Sequence, residues 1–168
     1  IAGANREDYS CSVSILGGTV TGGEASMGGS IYVGGDSEFK MYAGTTVSGG
    51  VCDSAKASCN RGGNIGYTGA IVRIYGGVVE NGVADRAGNL FAPSTSAKLY
   101  IYEGAVVKDG RATNSYGGNI FSRGNIPMTD GVIRNGSAVN GGNVYISGYD
   151  AAKTFAISGG TIENGNIA

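Results

Sequence analysis

The side chains able to do acid–base chemistry in this chain are scattered. Asp36, Asp53, Glu80, Asp85, Glu103, Asp109, Asp130, Asp150 and Glu163 recur one or two at a time along the sequence. Cleavage of a glycosidic bond by paired carboxylates needs two acids converging on one substrate bond. Glu80 and Glu163 instead share a repeat position with Lys108 and Arg134 between them, which reads as a ladder of alternating charge on a solvated face. The chain has no histidine, so Ser/His and Cys/His nucleophilic chemistry is excluded. Cys11, Cys52 and Cys59 form no C-x-x-C pair, and no zinc pattern results. Loops bearing Asp36, Asp53 or Asp150 lack the Gly-Gly-x-Gly-x-Asp pattern of calcium-binding repeats, and the Gly-Gly-Asn blocks lack the Gly-Lys-Ser/Thr of a phosphate loop. These residues predict no enzyme, no metal and no cofactor.

Aromatic side chains remain as a source of contact chemistry, and their spacing follows a repeat. Six segments, 13–23, 39–50, 72–82, 99–110, 126–136 and 155–165, share one grammar: an apolar alternation, a central glycine, a second short alternation and a Gly-Gly, Asn-Gly or Asp-Gly turn. The second apolar residue after the central glycine is Val20, Val47, Val79, Val107, Ile133 and Ile162, giving spacings of 27, 32, 28, 26 and 29 residues. A further block leads into each later unit: Gly-Gly-Ser-Ile-Tyr-Val at 28–33, Gly-Gly-Asn-Ile-Gly-Tyr at 62–67, Gly-Asn-Leu-Phe-Ala at 88–92, Gly-Gly-Asn-Ile-Phe-Ser at 117–122 and Gly-Gly-Asn-Val-Tyr-Ile at 141–146. Each unit of about 28 residues thus holds three short strands of period two and no stripe of helical period.

Three strands and three turns per unit predict one coil of a solenoid, with strands stacked about 4.8 Å apart. The fold class is therefore all-β: a right-handed, single-stranded parallel β-helix of about six coils, forming one domain over 1–168. The coils run approximately 1–27, 28–60, 61–87, 88–116, 117–140 and 141–168. Val13/Ile15, Phe39/Met41, Val72/Ile74, Leu99/Ile101, Ile126/Met128 and Phe155/Ile157 are the expected inward pairs of the middle strand. Ala25, Cys52, Ala84, Ala112 and Ala138 are the small residues of a tight corner. Two asparagine files are expected to hold the turns by bonding backbone and the equivalent residue one coil away: Asn64, Asn89, Asn119 and Asn143, and Asn81, Asp109, Asn135 and Asn164. The glycine next to them is expected to take the positive φ.

Strand alternation sends two aromatic files outward. One is Tyr32, Phe91, Phe121 and Tyr145, interrupted by Gly66; the other is Tyr42, Tyr75 and Tyr102, flanked by Lys40, Arg73 and Tyr100. Such files stack between coils, and they also offer a rigid strip against which a polysaccharide or a neighbouring solenoid packs. A third outward file, Thr19, Thr46, Val78, Val106, Val132 and Thr161, has the hydroxyl and methyl spacing of ice-binding solenoids, with charged neighbours at Glu80, Lys108, Arg134 and Glu163.

With 12 basic and 13 acidic residues, no broad field draws in nucleic acid or an anionic membrane. Nor is there an apolar run of the roughly 18 residues that a spanning helix needs, so membrane insertion is not expected. For the cysteines two readings stand. A Cys52–Cys59 disulfide would tether the insertion at 53–61 and leave Cys11 free or available to another copy; alternatively all three thiols are reduced and Cys52 is simply a small buried residue.

The repeat resembles right-handed parallel β-helix proteins, and its Gly-Gly-Asn-Ile/Val blocks are similar to the Gly-Gly-apolar repeats of polymorphic outer-membrane adhesins and related surface proteins. That resemblance covers almost the whole chain. It implies a secreted or cell-surface location and a structural or adhesive role, with self-association or other surface and matrix proteins as partners. A polysaccharide bound or cleaved along the aromatic strip is the second expectation, and ice binding the third. Assembly end to end or laterally into fibres follows from the same expectation.

Overall fold

The computed structural model describes residues 11–52, 61–148 and 154–168. These residues wind into a parallel β-solenoid of about five turns, every ladder parallel and the successive coils stacked into three main sheets. The leading sheet takes its strands from the block that opens each coil: Ile31–Gly34, Ile65–Thr68, Leu90–Ala92, Ile120–Ser122 and Val144–Ile146. The middle sheet holds Ser12–Ile15, Glu38–Met41, Ile71–Ile74, Lys98–Ile101, Ile126–Met128 and Phe155–Ile157. The closing sheet holds Gly18–Thr21, Thr45–Ser48, Gly77–Glu80, Ala105–Lys108, Val132–Arg134 and Thr161–Glu163. Val83–Ala84 and Arg111–Ala112 pair briefly at the corner that follows.

Register is set by burial, because a one-residue slip would turn every inward side chain out to solvent. Met41, Ile74, Ile101, Met128 and Ile157 stand over one another in the middle sheet. Val20, Val47, Val79, Val107, Ile133 and Ile162 do so in the closing sheet. Inward residues of the inner coils are fully buried in one continuous core, while Val13 and Ile157, on the outermost described coils, are 49% and 51% exposed. The longest spacing contains residues 53–60, yet Val47 still pairs with Val79. The extra length therefore leaves the stacking of the closing sheet unchanged.

Inside the corner between the closing and leading sheets runs the asparagine ladder. Asn64 Nδ2 donates to Asn89 Oδ1 at 2.7 Å, Asn89 Nδ2 to Asn119 Oδ1 at 2.7 Å, and Asn119 Nδ2 to Asn143 Oδ1 at 2.8 Å. Each carboxamide also closes its own corner. Asn119 Oδ1 accepts from the Gly110 amide at 2.9 Å, and its Nδ2 donates to the Arg134 carbonyl at 2.8 Å. All four hydrogen-bonding positions of Asn89 and Asn119 are thereby filled in a site from which water is excluded.

The other asparagine file sits outside the same corner, and here the expectation about glycine is corrected. Asn81, Asp109, Asn135 and Asn164 themselves take the left-handed conformation, with φ of 52–56°. The glycines that follow, Gly82, Gly110 and Gly136, have no positive φ. Their reason is space: a Cβ on Gly110 would lie 2.5 Å from the Gly118 carbonyl oxygen and 2.7 Å from Asn119 Oδ1. Asn135 Nδ2 donates to Asp109 Oδ1 at 3.0 Å, a solvent-side rung of this outer file.

Tyr67 is the largest fully buried side chain, facing inward two residues after Ile65 and pairing with Val33. The small Ala92 and Ser122 continue its file and leave room for the ring. Its phenolic oxygen is buried without a hydrogen-bond partner among the described residues. Burial pushes the phenol well above its usual range; the Ser122 hydroxyl opposes that shift without making a hydrogen bond of ordinary geometry, being bonded to Gly124 instead. Tyr67→Phe is expected to stabilise the fold by about 1 kcal/mol by removing an unpaired buried hydroxyl. A thermal melt checks this, and a lowered midpoint would show that the hydroxyl has a partner.

Candidate functional site

Two outward aromatic surfaces form, and their environments differ. On the middle sheet, residues just beyond the paired strands bring Tyr42, Tyr75 and Tyr102 into a stack. Ring centroids are 5.1 Å apart for Tyr42 and Tyr75 and 4.6 Å for Tyr75 and Tyr102, with interplanar angles of 21° and 13°. Tyr100 lies 6.2 Å from Tyr102 and nearly parallel to it. Arg73 ties the strip together: its guanidinium carbon lies 4.2 Å from the Tyr100 ring centroid, and Nη1 donates to the Tyr102 hydroxyl at 3.1 Å. A cation over a half-exposed ring contributes about 0.5–1 kcal/mol.

Glu38 completes this cluster, pairing with Lys40 Nζ at 2.7 Å and Arg73 Nε at 2.6 Å. The Lys40 ammonium, then the Arg73 guanidinium, hold its carboxyl below the usual range. All three tyrosines of the stack remain half-buried, Tyr75 with a neighbouring ring on both faces and Tyr42 and Tyr102 on either side of it. The result is a flat, laterally exposed aromatic strip bordered by charge.

On the leading sheet the file is in the expected register, Tyr32–Gly66–Phe91–Phe121–Tyr145. Its expected role as an open contact surface is corrected for two members: Phe91 and Phe121 are only 1% and 3% exposed. They do point away from the inner core, but segments leading into each coil lie over them, and Met27, Ala87, Tyr116 and Tyr145 pack with them into a second apolar cluster. Met27 also fills the space beside Gly66, where a Cβ would meet its Cγ at 2.5 Å. Tyr32 stands apart at 56% exposed, its hydroxyl donating to Thr68 Oγ1 at 3.3 Å.

Repeat-by-repeat reading overlooked the residues that wall this second cluster. Arg61 lies 5.5 Å over Phe91, and Arg86 lies 5.8 Å over Tyr116. Tyr116 in turn sits 4.4 Å from Tyr145. The available signal was position: Arg61 and Arg86 both fall just before the Gly-Gly or Ala-Gly pair and are bridged to each other as neighbouring coils.

Comparison with protein-family models, curated proteins and solved structures finds no match for this chain. What it does must therefore be argued from its surfaces.

Cys52 is a free, buried thiol, with Sγ 3.4 Å from the Gly62 carbonyl oxygen and 3.6 Å from that of Arg61, and burial pushes its titration up. The proposed Cys52–Cys59 bridge is thus not formed at Cys52, while Cys59 itself lies outside the described residues. Cys11 is free and exposed. Asp53 and Asp150 likewise fall outside the described residues.

Several of the described acids have structural partners. Glu80 pairs with Lys108 at 2.7 Å, Asp109 pairs with the same ammonium at 3.2 Å, and Asp85 accepts from Thr113 and Asn114. The Thr19–Thr46–Val78–Val106–Val132–Thr161 file is in register, and the Glu80–Lys108–Arg134–Glu163 file runs two residues along the same strands. A cavity of about 340 Å³ lies at the first described coil among Val13, Ile15, Val20, Ile31, Val33 and Phe39. It exposes part of the apolar interior.

Proposed function

We propose that this chain is a non-enzymatic solenoid of the cell surface or extracellular matrix, structural or adhesive in role, with the Tyr42–Tyr75–Tyr102 strip as its lateral contact face. The stacked strip carries this reading. Three rings pre-ordered at coil spacing lose little conformational entropy when a partner packs on them, and aromatic side chains dominate the energetics of such contacts. Supporting it, the carboxylates Glu38, Glu80 and Asp109 are engaged in ion pairs that hold the outer faces together. The partner class that fits is a second solenoid, or a surface protein with its own flat aromatic or aliphatic strip.

Replacing Tyr42, Tyr75 and Tyr102 together by alanine is expected to abolish concentration-dependent lateral association in sedimentation velocity and in electron micrographs. The far-ultraviolet β signature should persist, because the rings lie outside the inner core. Association unchanged in the triple variant, or no self-association or surface binding by the unaltered protein, would remove this reading.

A further inference from the structure

Charge on the outer face of the middle sheet is placed symmetrically about one coil. Glu38, Ile71 and Lys98 stand in one file across three successive strands, and Lys40, Arg73 and Tyr100 stand in the next, beside the tyrosine column. Glu38 thus lies one coil to one side of Ile71, and Lys98 one coil to the other. Lys98 is exposed and makes no ion pair among the described residues. Building on the reading of this face as the lateral contact, we propose that its partner is a second copy of the same chain, docked face to face with the solenoid axes antiparallel and Glu38 of each copy against Lys98 of the other.

A twofold axis running along the Ile71–Ile74 strand produces this pairing. It sets that strand opposite itself and exchanges the coils on either side, so Glu38 meets Lys98, Lys40 meets Tyr100 and Tyr42 meets Tyr102. Packed sheets stand about 10 Å apart, a gap that a lysine and a glutamate side chain together span. Arg73, on the axis, faces its own copy, but its guanidinium is held over the Tyr100 ring and against Glu38. Both faces of Tyr75 are covered by Tyr42 and Tyr102, so the tyrosine column meets its copy through ring edges and phenolic hydroxyls.

Charge decides the orientation. With parallel axes, every coil would face its own equivalent. Centred on this face, that arrangement presses Lys40 on Lys40 of the copy, a juxtaposition of like charges; shifted onto the tyrosine column, it leaves Lys98 unanswered. Only the antiparallel pairing gives Lys98 an acid. The face is six strands tall. At the ordinary strand spacing and about 17 Å of width, it buries on the order of 1,000 Å² over both copies, the lower end for a specific interface. Association is therefore expected at micromolar concentration, and salt should weaken it.

Sedimentation velocity over a concentration series, at low and at high salt, tests the pairing. The unaltered protein should form a dimer that salt weakens. Lys98→Glu should weaken it by about tenfold or more, because two attractive contacts become two repulsive ones, while Lys98→Arg should retain it. Lys98 is exposed, so both variants should melt as the parent does. Geometry is read with a carbodiimide, which joins a carboxylate to an amine, applied to a mixture of isotopically light and heavy protein. Glu38 and Lys98 peptides linked light to heavy are the expected product. Undiminished association of Lys98→Glu while the Tyr42/Tyr75/Tyr102 alanine variant loses it, or light-to-heavy links only between other pairs, would overturn the antiparallel pairing and leave the lateral strip standing. Association unchanged in both variants would overturn the two together. A monomer at every concentration would overturn the pairing and leave the strip only a different surface protein as partner.

Discussion

Replacing Asn119 by alanine is expected to lower the unfolding free energy by about 4 kcal/mol or more, among the largest effects a single substitution has in a domain of this size. The estimate follows from what the carboxamide satisfies. Removing it strands the Gly110 amide and one Nδ2 hydrogen of Asn89 in a buried corner, and takes one of two donors from the Arg134 carbonyl and from Asn143 Oδ1, which keep the Asp109 and Gly136 amides. Each such group costs about 1–3 kcal/mol when left unpaired away from water. Asn119→Asp should be worse than alanine, since an oxygen would replace the donor facing two acceptors and a charge would be buried. The outer file supplies the control: Asn135→Gly, at an exposed left-handed position with φ of 55°, should change stability by only a few tenths of a kcal/mol. Stability also has a nearest-neighbour form in solenoids, so a broken rung should separate the coils on either side into two transitions. Denaturant unfolding followed by tyrosine fluorescence and circular dichroism reads both effects. A cooperative transition shifted by less than about 1 kcal/mol would show that the ladder is incidental to stability.

Gly118→Ala is expected to be as damaging, for a steric reason. A Cβ there would sit 2.0 Å from the Gly142 carbonyl oxygen and 2.2 Å from the Ser137 amide nitrogen, both backbone atoms. None of these atoms belongs to a flexible side chain able to swing aside. Relief requires one coil to move away from the next, which would lengthen the hydrogen bonds Gly118 N–Gly141 O and Asn119 N–Asn143 O, now 3.2 and 2.9 Å. Overpacking in a core costs about 1–3 kcal/mol where side chains give way; here, where backbone must, at least about 3 kcal/mol is expected. Gly148→Ala, where a Cβ meets nothing within 4 Å, is the matched control. Soluble yield and thermal midpoint separate the two, and a Gly118→Ala protein melting like its parent would mean that the coils are spaced more loosely than the structure describes.

The period-two alternation around Phe39, Ile74, Ile101 and Ile133 determined the solenoid, because only stacking of equivalent units buries so many short apolar strands at once. Repetition made the register legible too: Val20 through Ile162 stand in one file because any slip would place charged residues such as Lys108 or Arg134 inside. The inner asparagine ladder could be anticipated from the recurrence of Asn64, Asn89, Asn119 and Asn143.

Accessibility was a different matter. Alternation assigns Phe91 and Phe121 to the outer face of their strands, and that assignment is right as far as it goes. It carries no information about what the chain lays over that face, since Met27, Ala87 and Tyr116 belong to the segments between strands, whose paths the repeat does not encode. The same gap hid the grouping of Arg86, Tyr116, Arg123 and Tyr145, which come from four successive coils, and it left the state of Cys52 open until its neighbours were known. Period and polarity thus settled which residues face inward and which coils adjoin, both local consequences of strand geometry and burial. Which outward residues meet solvent depended on the course of the connecting segments, and only the tertiary structure decides that course.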